Sequence, residues 1–183
     1  FSYRFVPIKN RMKSTDIGFA DAEDLYDKMK NVYSWDALKR TDYFVDYHNN
    51  YTFCGVLSQR QIFVNVAKEL MQVGEYAKAI EMLDMCQECV PEENYPLDMS
   101  YLGFSNEYWV KEIAVLYLSL GERDKGLALL EDLASQLLQS QAFLEELGSA
   151  PDEYENLSTE ILRILIAYQY DVSTLIGIES GFS

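Results

Sequence analysis

Apolar residues fall at helical spacing through most of the chain. Phe63, Val66, Ala67, Leu70 and Met71 occupy i, i+3, i+4, i+7 and i+8, one face of a helix. Tyr76, Ala79, Ile80 and Leu83 resume that spacing after a break at Gly74. Residues 122–147 read as one long helix, with Leu127, Leu130, Ala134, Leu137, Leu138 and Gln141 on its inner stripe. Gly148-Ser149-Ala150-Pro151 ends it, and a last helix is predicted over 157–176, carrying Ile161, Leu162, Leu165 and Tyr168. Near the other end, Asp21 is placed to cap a helix over 22–33 whose apolar positions are Leu25, Tyr26, Met29, Val32 and Tyr33. No apolar run is long enough to span a bilayer.

Two segments share one grammar. The first runs Phe63, Val66, Ala67, Leu70, then Gly74, then Ala79, Leu83 and Pro91. The second runs Val110, Ile113, Ala114, Tyr117, then Gly121, then Gly126 and Leu130. This order of large apolar residues, a small residue, a turn glycine and a second small residue resembles the tetratricopeptide pattern. Its physical basis is contact between two antiparallel helices. Small residues are needed where the backbones cross, here Ala67 against Ala79 and Ala114 against Gly126, with large residues on either side. Gly74 and Gly121 end the first helix of each pair in a left-handed cap, Tyr76 packs back on the hairpin, and Pro91 stops the second helix. The expected fold is all-α: antiparallel helical hairpins in a short right-handed stack. The turn glycines are 47 positions apart (121 − 74), against a unit of about 34 residues. Roughly 13 residues are therefore inserted, and Glu92 to Phe104, with Pro96 and Gly103, fits the insertion. It either forms a functional loop or caps an irregular stack, and capping is the preferred reading.

The chain divides into an extended segment at 1–20, a helix plus aromatic-rich cap at 21–55 and a helical-repeat region at 56–183, the last two forming one compact domain. The cap holds Trp35, Tyr43, Phe44, Tyr47, Tyr51 and Phe53, and covers the open end of the first hairpin. A length of 183 residues, 49% of them hydrophobic, supports one real core and excludes a disordered chain. The net charge of −15 repels a phosphate backbone and an anionic membrane surface alike, so nucleic acid is not expected as a partner; direct membrane insertion is not expected either, for want of a spanning apolar run.

Little in the sequence points to catalysis. The three cysteines, Cys54, Cys86 and Cys89, cannot all pair. Cys86 and Cys89 form a C-x-x-C inside a helical pattern, with no second such pair and no nearby His, so a buried structural role is favoured over redox or zinc chemistry. His48 is the lone histidine, which leaves a nucleophilic triad or transition-metal site without support. There is no Asp-rich calcium loop and no Gly-rich phosphate loop. No catalytic residue, metal or cofactor is therefore expected. The start lacks a signal-peptide pattern, and the absent initiator Met suggests a fragment of a longer or processed chain.

Several short motifs together resemble one family. They are Tyr3-Arg4-Phe5-Val6-Pro7-Ile8, Leu25-Tyr26-Asp27 followed by Trp35, Phe44-Val45-Asp46 before Asn49-Asn50, and Ala79 with Leu83-Asp84 leading to Val90-Pro91. A Tyr-containing helix ending at Gly121 follows. The set resembles the soluble C-terminal tetratricopeptide-like region of bacterial multi-spanning membrane proteins related to protein O-mannosyltransferases. Tyr47-His48 and Gly126 depart from that family's pattern. The resemblance implies that transferase chemistry belongs to a membrane-anchored parent, that 1–20 links to it, and that the tail faces the periplasm. No family catalytic residue maps onto this chain.

The functional expectation is a non-catalytic interaction or scaffold domain that holds a protein or peptide partner. In a helical-repeat stack the first helix of each pair lines the concave face. Val64, Lys68, Met71 and Gln72 would line it from the first pair, and Tyr108, Lys111, Val115 and Leu118 from the second. Lys68 and Lys111 stand out as cations suited to a partner's carboxylate, although Val64 occupies a place where a carboxylate clamp would carry a cation. Two alternatives remain. One is a structural or oligomerisation role against the parent's membrane part. The other is a carbohydrate-active enzyme or glycan-binding module using an acidic pair near the aromatics.

Overall fold

The computed structural model describes residues 21–42, 56–101, 104–148, 152–168, 170 and 175. The expected extended segment at 1–20, most of the aromatic cap, His48 and Cys54 lie outside the described residues, as does any reading of them.

The described chain is helical. It runs α1 (Ala22–Asn31), α2 (Asp36–Lys39), α3 (Val56–Gln72), α4 (Tyr76–Cys89), β1 (Ser100–Tyr101), β2 (Phe104–Ser105), α5 (Asn106–Ser119), α6 (Arg123–Glu146) and α7 (Asp152–Ala167). The two strands are two residues each, antiparallel, with Ser100 opposite Ser105. No described helix is long and apolar enough to cross a membrane.

Three antiparallel hairpins form, α3–α4, α5–α6 and α6–α7, and α5 also packs on α3 and α4. The first two turns are built alike. Gly74 at φ +84° and Gly121 at φ +85° adopt the left-handed conformation that costs a side-chain-bearing residue dearly. The Glu75 amide then donates to the Leu70 carbonyl (2.9 Å) and the Glu122 amide to the Tyr117 carbonyl (2.9 Å), closing the same cap in both repeats. The second hairpin crosses closely: a Cβ built on Gly126 would lie 2.9 Å from the Ala114 carbonyl oxygen. Ala67 and Ala79 are fully buried in the first.

The core has two parts sharing α5. Ile113, Leu116 and Tyr117 join α1, α3 and α4 around Phe63, Leu70 and Leu83. Val110 and Ala114 join α6 and α7 around Leu130, Leu137 and Ile161. At the N-terminal end Asp21 caps α1, its carboxylate accepting from the Asp24 amide. Trp35 lies against Phe63, ring centroids 5.1 Å apart, and its Nε1 donates to the Met29 carbonyl at 2.7 Å.

The structure corrects several expectations. The last helix, expected over 157–176, begins earlier, at Asp152, and α7 ends at Ala167; most of 169–176 lies outside the described residues. It starts directly after Pro151 in the sequence. Helix α1 stops at Asn31 because the Val32 and Tyr33 amides both turn back to the Lys28 carbonyl. Tyr76 is 58% exposed and does not pack back on its hairpin. Pro91 does follow the end of α4, and the Tyr95 amide donates to the Pro91 carbonyl at 3.0 Å.

The insertion after Pro91 is a strap fixed at many points. Tyr95 and Leu97 are each 2% exposed, one in each part of the core. Arg60, buried on α3, donates from one Nη to the carbonyls of Val90 and Tyr95, both at 3.1 Å. Asn106 donates to the Pro96 carbonyl at 2.8 Å, and Gln136 of α6 accepts from the Leu97 amide at 2.8 Å.

Candidate functional site

The eight residues expected to face a partner divide once their surroundings are seen. Val64 is fully buried among core residues of α1, α3 and α4 and offers no surface. Leu118 lies against Gly126 of α6, inside the second hairpin. Met71 is half-buried against the first part of the core. Gln72 is exposed and Val115 half-buried. Tyr108 is exposed and meets Trp109 edge-on at 5.0 Å.

The two lysines already have carboxylates. Lys68 Nζ lies 2.5 Å from Glu112 Oε2, which ties α3 to α5. Lys111 Nζ lies 2.9 Å from Glu160 Oε1, which ties α5 to α7, and sits 5.2 Å over the Tyr108 ring. Lys111 is itself buried. The lysines thus tie α3 to α5 and α5 to α7. A pair with residual exposure of this kind contributes only about 0–1 kcal/mol in the general case, but it fixes which helices are neighbours.

A different surface is open. Between α4, the strap and α6 lies a groove of about 440 Å³. Pro91, Leu97, Tyr117 and Leu129 supply apolar surface, and Asp84, Glu92, Glu93 and Asp132 supply carboxylates. A second hollow of about 290 Å³ continues along α6 past Glu92 to Ser140. Gln136 lines the second hollow and its amide nitrogen donates to Glu92, which borders both, and Ser140 donates to Asp98 at 2.5 Å.

The charges in the groove are unequal. Lys125 neutralises Asp84, at 2.7 and 2.8 Å from its two oxygens, and sits 5.5 Å over the Tyr117 ring. Tyr117 also donates to Asp84, at 2.8 Å, and burial followed by that carboxylate pushes its phenol well above the ordinary range. Among the described residues no ion pair neutralises Glu92, Glu93 or Asp132. Burial raises the Glu92 carboxyl above its ordinary value, the nearby Asp132 charge adds to this, and the Gln136 bond and buried Arg60 only partly oppose it. Burial and the Glu131 charge raise Asp132 likewise. Among the described residues no group of three or more His, Cys, Asp or Glu is placed to hold a metal ion.

The C-x-x-C thiols are both buried and free. Burial pushes Cys86 up to about 12 and Cys89 up to about 11, disfavouring the thiolate in both. Sequence reasoning missed the groove because its walls come from second-helix faces and from a strap without a periodic pattern. Glu92-Glu93 directly after Pro91 was the available signal.

No family model matches the chain, and neither the curated proteins nor the solved structures yield a match.

Proposed function

We propose that this chain is a non-catalytic interaction module that holds a polypeptide partner on a preformed helical surface. The observation that carries this reading is the groove of about 440 Å³ between α4, the strap and α6. Its walls are fixed by the Arg60, Asn106 and Gln136 contacts to the strap, so little ordering is required on binding. The family resemblance adds the expectation of a membrane-anchored, glycosyltransferase-like parent with this tail on the periplasmic side. Spectroscopic or sequence identification of the parent's membrane spans would test that part.

A structural role is the second reading, and one observation favours it. Phe143 near the end of α6 and Leu147 at its C-cap are 61% and 65% exposed, an apolar edge suited to packing against another body.

Site-specific photo-crosslinking in cells carrying the full-length parent separates the two. A photoreactive residue at Leu129 should crosslink to a different polypeptide while one at Phe143 does not. Crosslinks from Phe143 to the parent or to a second copy, with none from Leu129, would replace the interaction reading by the structural one.

A further inference from the structure

We infer that the groove between α4, the strap and α6 receives an extended peptide segment of alternating basic and apolar residues. The inference rests on the interaction reading and adds the chemistry of the partner.

Four observations converge on that occupant. First, the hollow is amphipathic: Leu129 and Pro91 give apolar surface with buried Leu97 behind them, and Glu92, Glu93 and Asp132 stand around it. A peptide whose side chains alternate sides matches such a lining better than a compact ion does. Second, Glu92 and Asp132 are part-desolvated, and among the described residues no ion pair neutralises them or Glu93. Lys125 is spent on Asp84. An incoming ammonium or guanidinium would supply the missing charge and form charge-assisted hydrogen bonds.

Third, Gln87 lines the groove from α4, and its Nε2 is shielded from water with no acceptor. An orphaned buried donor is costly. Turning its amide into the groove would let it donate to a peptide carbonyl. Fourth, the two hollows run along α6 from Lys125 to Ser140. At about 1.5 Å per residue that is roughly 22 Å, the length of about six or seven extended residues. Glu92 borders both hollows, so one strand can engage the two together.

The test uses a fluorescein-labelled octapeptide of alternating Lys and Leu, with the Glu/Leu counterpart as its control. Binding is followed by anisotropy at near-physiological salt, where diffuse attraction to an acidic protein is screened. Two variants each remove two negative charges: Glu92→Gln/Asp132→Asn in the groove and Glu23→Gln/Asp24→Asn on α1. The Lys/Leu peptide is expected to bind the parent chain. The groove variant should bind it about tenfold more weakly and the α1 variant within about twofold of the parent. Equal weakening by both variants would show polyelectrolyte attraction and overturn the site. No binding of the Lys/Leu peptide, or equal binding of the Glu/Leu peptide, would overturn the assigned chemistry. The interaction reading itself falls only if the Leu129 crosslink is also absent. Glu93→Gln, at an exposed position of the strap, gives an additional, single-charge groove variant.

Discussion

Replacing Gly126 by Ala tests the close crossing of α5 and α6. The added methyl would lie 2.7 Å from Leu118 Cγ, 2.8 Å from its Cδ2 and 2.9 Å from the Ala114 carbonyl oxygen. Leu118 is half-buried and can turn aside. The Ala114 carbonyl is part of α5 and moves only if the helices separate. Removing a helical glycine gains at most about 1 kcal/mol, and less here because Gly126 lies in the first turn of α6. Overpacking a tight contact costs about 1–3 kcal/mol. The expected balance is a loss of about 1–2 kcal/mol. With a urea slope near 2 kcal/mol/M, the unfolding midpoint should fall by roughly 0.5–1 M with the slope unchanged. Gly74→Ala is the control: nothing lies within 4 Å of its Cβ position, so its loss arises only from the backbone at φ +84°. A Gly126→Ala midpoint equal to or above the parent's would refute the close crossing.

Four further outcomes follow from the same contacts. Tyr117→Phe removes the hydrogen bond to Asp84 and should cost about 1.5–3 kcal/mol by urea unfolding, since the acceptor is charged; a neutral result would detach Tyr117 from the α4–α5 junction. Leu97→Ala, in the strap, should cost about 2–4 kcal/mol, as a core residue does, whereas a loss under about 0.5 kcal/mol would mean the strap is dispensable. The raised Glu92 and Asp132 carboxyls bind their protons more tightly folded than unfolded, so stability falls as pH rises from their ordinary values, 4.5 and 3.8, through the raised native ones, and stays lower above. Glu92→Gln/Asp132→Asn should therefore be more stable than the parent at neutral pH, with the gap shrinking on acidification; urea midpoints across that range check the sign. In a Cys54→Ser background, Cys86 and Cys89 should resist a thiol reagent in the native protein and react fully in urea, because burial holds both thiols protonated; rapid native labelling would contradict their buried placement.

The helices, both turn glycines and the close pair Ala114/Gly126 were legible in the sequence because each is a local requirement. A left-handed cap needs glycine, and a tight crossing needs a small residue, whatever lies elsewhere. The partners of Lys68 and Lys111 were not legible, because Glu112 and Glu160 are 44 and 49 positions away. Periodicity marks which face a residue occupies but not which helix covers it, which is why Val64 reads as surface and is inside, and Leu118 is half-buried against Gly126. Arg60 shows the same limit: its buried position is set by the Val90 and Tyr95 carbonyls, 30 and 35 positions on. The groove was missed because it depends on a strap whose path follows from those contacts.

The most direct measurement is an amide and methyl NMR titration of the isotopically labelled chain with the Lys/Leu octapeptide. The largest shift changes should fall on 87–97 and 125–136, around Leu97 and Leu129, with Gln72 and Val115 unmoved. Changes centred instead on Lys68, Tyr108 and Lys111 would place the partner on the first-helix face and contradict the account.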